Sequence, residues 1–211
     1  MRRDDRTHAL QLGLKGRAVL EPMEARILLS AAIPSVGGLF RITAALHETH
    51  QYNAVAAVGD QVLFGGGEYV GDATLDWPPL DGVDIYNARS GQWTRAKLSA
   101  PREYLTAVTV GAKAYFAGGD SATFIPNDDP HFTSRPSDVI DVYDSISGLW
   151  NTLTLPHAAS EPQSVALGDL AIFSNDGSRD VDLYDTQSGI WKSVTLAGIR
   201  SRAQITCSTL C

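Results

Sequence analysis

Three aspartates recur in one setting: Asp84 in "VDIY", Asp141 in "IDVY" and Asp182 in "VDLY". Carboxylates that face one another can divide acid and base roles. These three come once per repeat, so they stand a repeat apart and are expected to hydrogen-bond between loops or repeats. The histidines are His8, His47, His50, His131 and His157. "HETH" (47–50) sets two of them three residues apart, a spacing that offers a metal two ligands on a helix, but the segment reads as a loop. "SNDGSRD" (174–180) is rich in oxygen ligands yet lacks the spaced acids and closing Glu of a calcium loop. "FGGGE" (64–68) lacks the spacing of a phosphate loop, and no nucleophile elbow or zinc-protease motif is present. Cys207 and Cys211 form a lone pair near the end, too few ligands for a structural zinc. No cofactor and no metal are expected.

Composition narrows the partners. The 211 residues carry a net charge of −7, and Lys and Arg form no block, so a nucleic-acid footprint is not expected. No apolar run reaches the length of a membrane-spanning helix. Nineteen glycines and ten prolines indicate many turns.

The elements that must position these residues are written as a repeat. "YNARSGQW" (86–93), "YDSISGLW" (143–150) and "YDTQSGIW" (184–191) share Tyr, Asn or Asp, Ser-Gly and Trp at fixed places. Each follows a strand-like alternation. Asn87, Asp144 or Asp185 is expected to start a turn through its side chain, and Gly91, Gly148 or Gly189 to supply a positive φ. Upstream of each hairpin lies another, turning at Gly59, Gly111 or Gly168. Each unit thus has four strands, a to d, the make-up of a β-propeller blade. A lone blade leaves apolar faces bare, and stacking covers them.

The order of turn glycine, "GG" exit, Val-Asp-x-Tyr and Ser-Gly-x-Trp resembles the kelch repeat over about 40–211. It is clearest in "PREYLTAVTVGAKAYFAGG" followed by "DVIDVYDSISGLWNTLTLP". The third unit departs, with "SNDG" where the double glycine belongs. From Trp93 to Gly111 is 18 residues, as from Trp150 to Gly168, while Phe40 to Gly59 is 19. "FRITAAL" (40–46) is therefore expected as the d strand of an earlier blade, and "AQITCSTL" (203–210) as a further a strand. The expected fold is all-β: an incomplete kelch-type propeller of three complete four-stranded blades and two orphan strands. The resemblance implies rings of about six or seven blades. The expectation is a truncated or split propeller, or one completed by another copy.

Two b–c connections are long: 68–82 and 120–138, both rich in Asp, Pro and Gly and expected as loops. In a kelch-like blade the b–c and d–a loops share one face. That places Tyr69, Trp77, His131, Phe132 and Arg135 near Arg102 and Arg202. Such a rim suits a protein or carbohydrate ligand; otherwise the aromatics pin the insertions down. The resemblance also admits a galactose-oxidase-like or sialic-acid-epimerase-like enzyme. A copper oxidase of that kind would need several His and Tyr ligands and a cross-linked Cys.

The first 39 residues form a separate segment, irregular or a short helix after Pro22. Here "MEARILLSA" (23–31) resembles the bacterial LEPR-XLL segment: Met23, Glu24, Ala25, Arg26, Leu28 and Leu29 take its places, with "LEP" at 20–22. That resemblance implies an exported or surface protein, often very large, with missing blades downstream of Cys211. The function expected is a non-enzymatic binding module, extracytoplasmic, with a structural segment of a large surface protein as an alternative.

Overall fold

In this computed structural model the described residues are 46, 50–69, 78–125, 131–175 and 177–197. The expected N-terminal helix, the two orphan strands apart from Leu46, the LEPR-XLL-like stretch and both cysteines lie outside them. Among the described residues the fold is all-β, with no helix.

A short strand β1 (His50–Gln51) precedes the first blade and pairs with β4 (Glu68–Tyr69). The first blade is β2 (Ala54–Val58), β3 (Gln61–Gly65), β5 (Gly82–Asn87) and β6 (Gln92–Lys97), each antiparallel to the next. The second is β7 (Thr106–Val110), β8 (Lys113–Ala117), β10 (His131–Asp144) and β11 (Leu149–Ala159), with β9 (Asp120–Ile125) paired along the start of β10. The third is β12 (Pro162–Leu167), β13 (Leu170–Asn175), β14 (Asp180–Asp185) and β15 (Ile190–Thr195). These sheets form no closed barrel. They are the consecutive blades of an incomplete kelch-type propeller.

The repeated phrase is a c–d hairpin in all three. Asn87 Oδ1 accepts the amides of Arg89 and Ser90 at 3.0 and 2.9 Å. Asp144 Oδ1 accepts those of Ile146 and Ser147 at 2.9 and 3.2 Å, and Asp185 Oδ1 those of Gln187 and Ser188 at the same distances. These local bonds set the turn, and the glycine after them sits at φ 70–72°. Tyr then packs on Trp: Tyr86–Trp93, Tyr143–Trp150 and Tyr184–Trp191 have ring centroids 4.8–5.1 Å apart.

Period-2 alternation gives each blade two unlike faces. One carries Phe, Tyr and Trp, the other mostly aliphatic residues. Phe116, Tyr143 and Trp150 of the second blade pack on Ala54, Ala56, Val58, Leu63 and Ile85 of the first. Phe173, Tyr184 and Trp191 of the third pack on Val108, Val110, Ala117 and Val142 of the second. Gly65 lies under Phe116, where an added Cβ would come within 3.0 Å of the ring.

The connection 120–138 differs from the loop expected. Its arms pair as β9 and β10, Asp120 opposite Pro136 through to Ile125 opposite His131. Thr123, Phe124 and Ile125 in "DSATFI" are residue types that favour strands, and the backbone pairing closes the insertion into a ribbon.

Candidate functional site

The site builds from the segments that carry the chain from one blade into the next. After β6 the chain passes through Leu98–Leu105 and enters β7. Arg102 in this crossing is fully buried. Its Nη1 donates to the carbonyls of Gly118 (2.6 Å) and Val139 (2.9 Å), and its Nη2 to Asp141 Oδ2. Asp141 Oδ1 accepts the amide of Ser99 at 2.9 Å. Burial lowers the guanidinium's pKa, and Asp141 opposes that shift by charge and hydrogen bonding. The sequence placed Arg102 on a binding rim. It instead lies inside the second blade, spent on two carbonyls and a carboxylate, because a planar fork of donors can satisfy all three at once.

The same place is filled differently elsewhere. His50 Nδ1 donates to Gly66 O at 2.7 Å, the carbonyl equivalent to Gly118 O one blade earlier. In the third blade Ala159 stands where Arg102 stands in the second. His157 Nδ1 lies 3.0 Å from Asp182 Oδ1, which also accepts from Ser193 Oγ at 2.6 Å. A water-sized cavity opens there beside Ala159, Phe173, Asn175, Asp180 and Asp182. Asp84 pairs with Arg95 of its own blade at 3.4 Å. Asp141 and Asp182 thus tie one blade's exit to the next blade, the role expected of the recurring acids.

Beside these ties lies a cluster of titratable groups. Gln51 opposes Glu68 in the β1–β4 pair, and one blade on Glu103 opposes Asp120 in a bridge. Gln51 Nε2 donates to Glu68 Oε1. The Glu103 and Asp120 backbones exchange amide-to-carbonyl bonds of 3.0 and 2.7 Å. Tyr52 and Tyr104 follow Gln51 and Glu103; both adopt φ 55° and their rings stack with centroids 4.3 Å apart. The Tyr104 amide donates to the Tyr52 carbonyl at 3.0 Å, which locks the two crossings together. A positive φ at tyrosine is strained, and paired strain of this kind concentrates at functional sites.

The electrostatics follow from proximity. Burial raises the Glu103 carboxyl to about 7, helped by a hydrogen bond with Glu68 and the charges of Glu68 and Asp120. Tyr104 is pushed up to about 12 by burial, by Tyr52 and by the charges of Glu103 and Glu68. No protein donor reaches Glu103 Oε2 or Asp120 Oδ1, although both atoms are buried. The arrangement offers hydrogen-bond acceptors, one carboxyl that titrates near neutrality, and an aromatic edge, since Tyr52 is 49% exposed.

Of the residues expected at the rim, Tyr69 is exposed in β4, opposite His50. Arg135 is exposed on the β9–β10 ribbon, and His131 and Phe132 open β10 opposite Ile125 and Phe124. Trp77 and Arg202 lie outside the described residues. Sequence reasoning missed Gln51, Tyr52, Glu68, Glu103, Tyr104 and Asp120. The signal was there: in both blades an acid follows the double glycine, and 17 residues before it stands a polar residue preceding Tyr. Among the described residues no group of three or more His, Cys, Asp or Glu is arranged to hold a metal, and no helix is long and apolar enough to cross a membrane.

Together the blades and the ties between them define a kelch-like β-propeller fold. No family model matches the sequence, and no curated protein does. Among solved structures the chain is similar to YjhT, with a TM-score of 0.55 at 12% identity over 72% of this chain. The match covers 54% of the YjhT chain, so this chain spans about half of that protein's length. At that identity the likeness shows the fold alone.

Proposed function

We propose that the chain is a non-enzymatic carbohydrate-binding module that uses the b–c and d–a loop face. One observation carries the reading. The stacked Tyr52–Tyr104 pair adjoins Glu68, Glu103 and Asp120, two of whose buried oxygens meet no protein donor. Sugar hydroxyls supply donors to such oxygens, and an exposed tyrosine gives a sugar ring an apolar surface. Tyr69 and Arg135, exposed on the neighbouring insertions, are taken as part of the same binding face. An exported or surface setting fits this ligand class and the LEPR-XLL resemblance of 23–31.

A second reading, an acid–base enzyme of the sialic-acid-epimerase-like kind, is favoured by Glu103 alone. A carboxyl raised to about 7 beside a second one is suited to proton transfer near neutrality. A glycan array followed by calorimetry tests the first reading. Binding that falls at least tenfold in Tyr52→Ala and in Glu103→Gln supports it; binding indifferent to both overturns it. Following the captured glycan by NMR separates the readings, since turnover abolished by Glu103→Gln would favour the enzyme.

A further inference from the structure

We infer that the cavity in the third blade is a binding site for a guanidinium group, carried by an arginine side chain of a partner or by a free guanidinium compound. Its residues are separate from those of the proposed sugar site. Register places it. Trp93 to Arg102 is nine residues, and Trp150 to Ala159 is nine. Asp141 pairs across the sheet with Phe116, and Asp182 pairs with Phe173 in the same way. Counting from these pairs, Asn175 matches Gly118 and Asp180 matches Val139. Ala159, Asn175, Asp180 and Asp182 all line the cavity. It therefore lies where the second blade holds the Arg102 guanidinium.

Its walls carry the same kinds of acceptor. In the second blade two carbonyls and one carboxylate take the donors of Arg102. In the third, Asn175 and Asp180 supply the matching carbonyls and Asp182 the matching carboxylate. Asn175 O accepts the Ser178 amide at 3.2 Å, and a carbonyl has a second lone pair. The Asp182 side chain is 7% exposed. It accepts from Ser193 at 2.6 Å and contacts His157 at 3.0 and 3.1 Å. The Asp180 carboxylate is held by Thr195 at 2.9 Å and Ser178 at 3.3 Å, and it adds a second negative charge. A planar cation with a fork of donors matches two carbonyls and a carboxylate, whereas a compact ammonium does not span them.

The other two blades fill this place from within. The second uses Arg102, and the first uses His50, whose Nδ1 donates to Gly66 O. In the third, His157 stands at the side of the cavity, which as it stands admits a water molecule. The His157 side chain is 49% exposed, so it can turn outward without crossing packed structure. That turn frees the Asp182 oxygens and widens the cavity. Leu155 and Phe173 then offer an apolar wall to the stem of an entering arginine.

The test is an NMR titration of the isotope-labelled chain with methylguanidinium, methylammonium and an acetylated glycine–arginine–glycine peptide amide. The expected result is saturable shifts at the amides of Ala159, Asn175 and Asp182, with methylguanidinium bound at least tenfold more tightly than methylammonium. Tighter binding of the peptide than of methylguanidinium identifies a protein arginine as the source, and equal or weaker binding identifies a free guanidinium compound. Asp182→Asn should weaken binding at least tenfold. Ala159→Arg should abolish it by filling the cavity from within. His157→Ala, at an exposed position, removes the competitor for Asp182 and should tighten binding whether or not Ala159→Arg folds. No saturable shift with either guanidinium would overturn the proposal. So would equal affinity for methylguanidinium and methylammonium, binding that persists in folded Ala159→Arg, or binding weakened in His157→Ala.

Discussion

Ala159 occupies in the third blade the backbone place that Arg102 occupies in the second. The carbonyl of Arg102 accepts the amide of Gly67 at 2.8 Å, and the carbonyl of Ala159 accepts that of Gly119 at the same distance. The scaffold is unchanged, while the side chain that crosses it has gone. A cavity remains, walled by Asn175, Asp180 and Asp182 where the second blade presents Gly118, Val139 and Asp141.

Restoring the arginine should therefore stabilise the third blade. Ala159→Arg places a guanidinium within reach of Asp182 and displaces the His157 contact. Cavity filling with satisfied donors contributes about 1 kcal/mol, which raises the melting temperature by about 2–4 °C in a chain of this size. A melt by circular dichroism reads it, and a fall in melting temperature would show that the third blade has no room for the side chain.

Removing the original should do the reverse. Arg102→Ala strands the Asp141 carboxylate, which is 3% exposed, and should cost about 3–5 kcal/mol in urea unfolding. Arg102→Met combined with Asp141→Leu leaves no buried charge and should cost less than the single change. Equal losses would mean that packing, and not the ion pair, carries the tie.

Glu103 sets a pH dependence of definite sign. Its folded pKa is raised to about 7 from an ordinary 4.5. Between those values the folded state holds a proton that the unfolded state has released, so stability falls as pH rises through the window. Glu103→Gln should flatten that slope. A slope unchanged in the variant would assign it to another group.

The turn aspartates act in the opposite direction. Backbone amides of Ser147 and Ile146 hold the Asp144 carboxyl below its ordinary range, and those of Gln187 and Ser188 do the same for Asp185. Their contribution is present above the ordinary carboxylate pKa and is lost as pH falls through the folded value. Asn87 makes the same turn without a charge. Asp144→Asn and Asp185→Asn should therefore keep the hairpins and reduce the loss of stability in acid, as acid titrations followed by circular dichroism would record.

The blades were legible because their determinants are local. Asp144, Gly148 and Trp150 specify a turn and the next strand within eight residues, and the phrase is written three times. The ribbon 120–138 was hidden because Asp, Pro and Gly dominate its composition, while its pairing depends on register between Asp120–Ile125 and the start of β10. The Glu68–Glu103–Asp120 cluster was hidden for another reason. These acids are far apart in sequence, and each alone looks like a solvated surface charge. Only the backbone pairing of 51 with 68 and 103 with 120 gathers them. Arg102 was read as a rim residue because Pro and Arg between strands ordinarily mark an exposed loop. Its burial depends on carbonyls from β10 and the double glycine, which no local pattern announces.

The arginine tie has a consequence for anyone who cuts and recombines these repeats. Its guanidinium belongs by sequence to the linker behind the first blade, yet its acceptors belong to the second. A splice placed midway between blades, after Ala100 for example, keeps Arg102 with the acceptors it serves. A splice after Glu103 separates donor from acceptors and exports a buried charge into a foreign neighbour. The inheritable module is thus a blade together with the linker that precedes it.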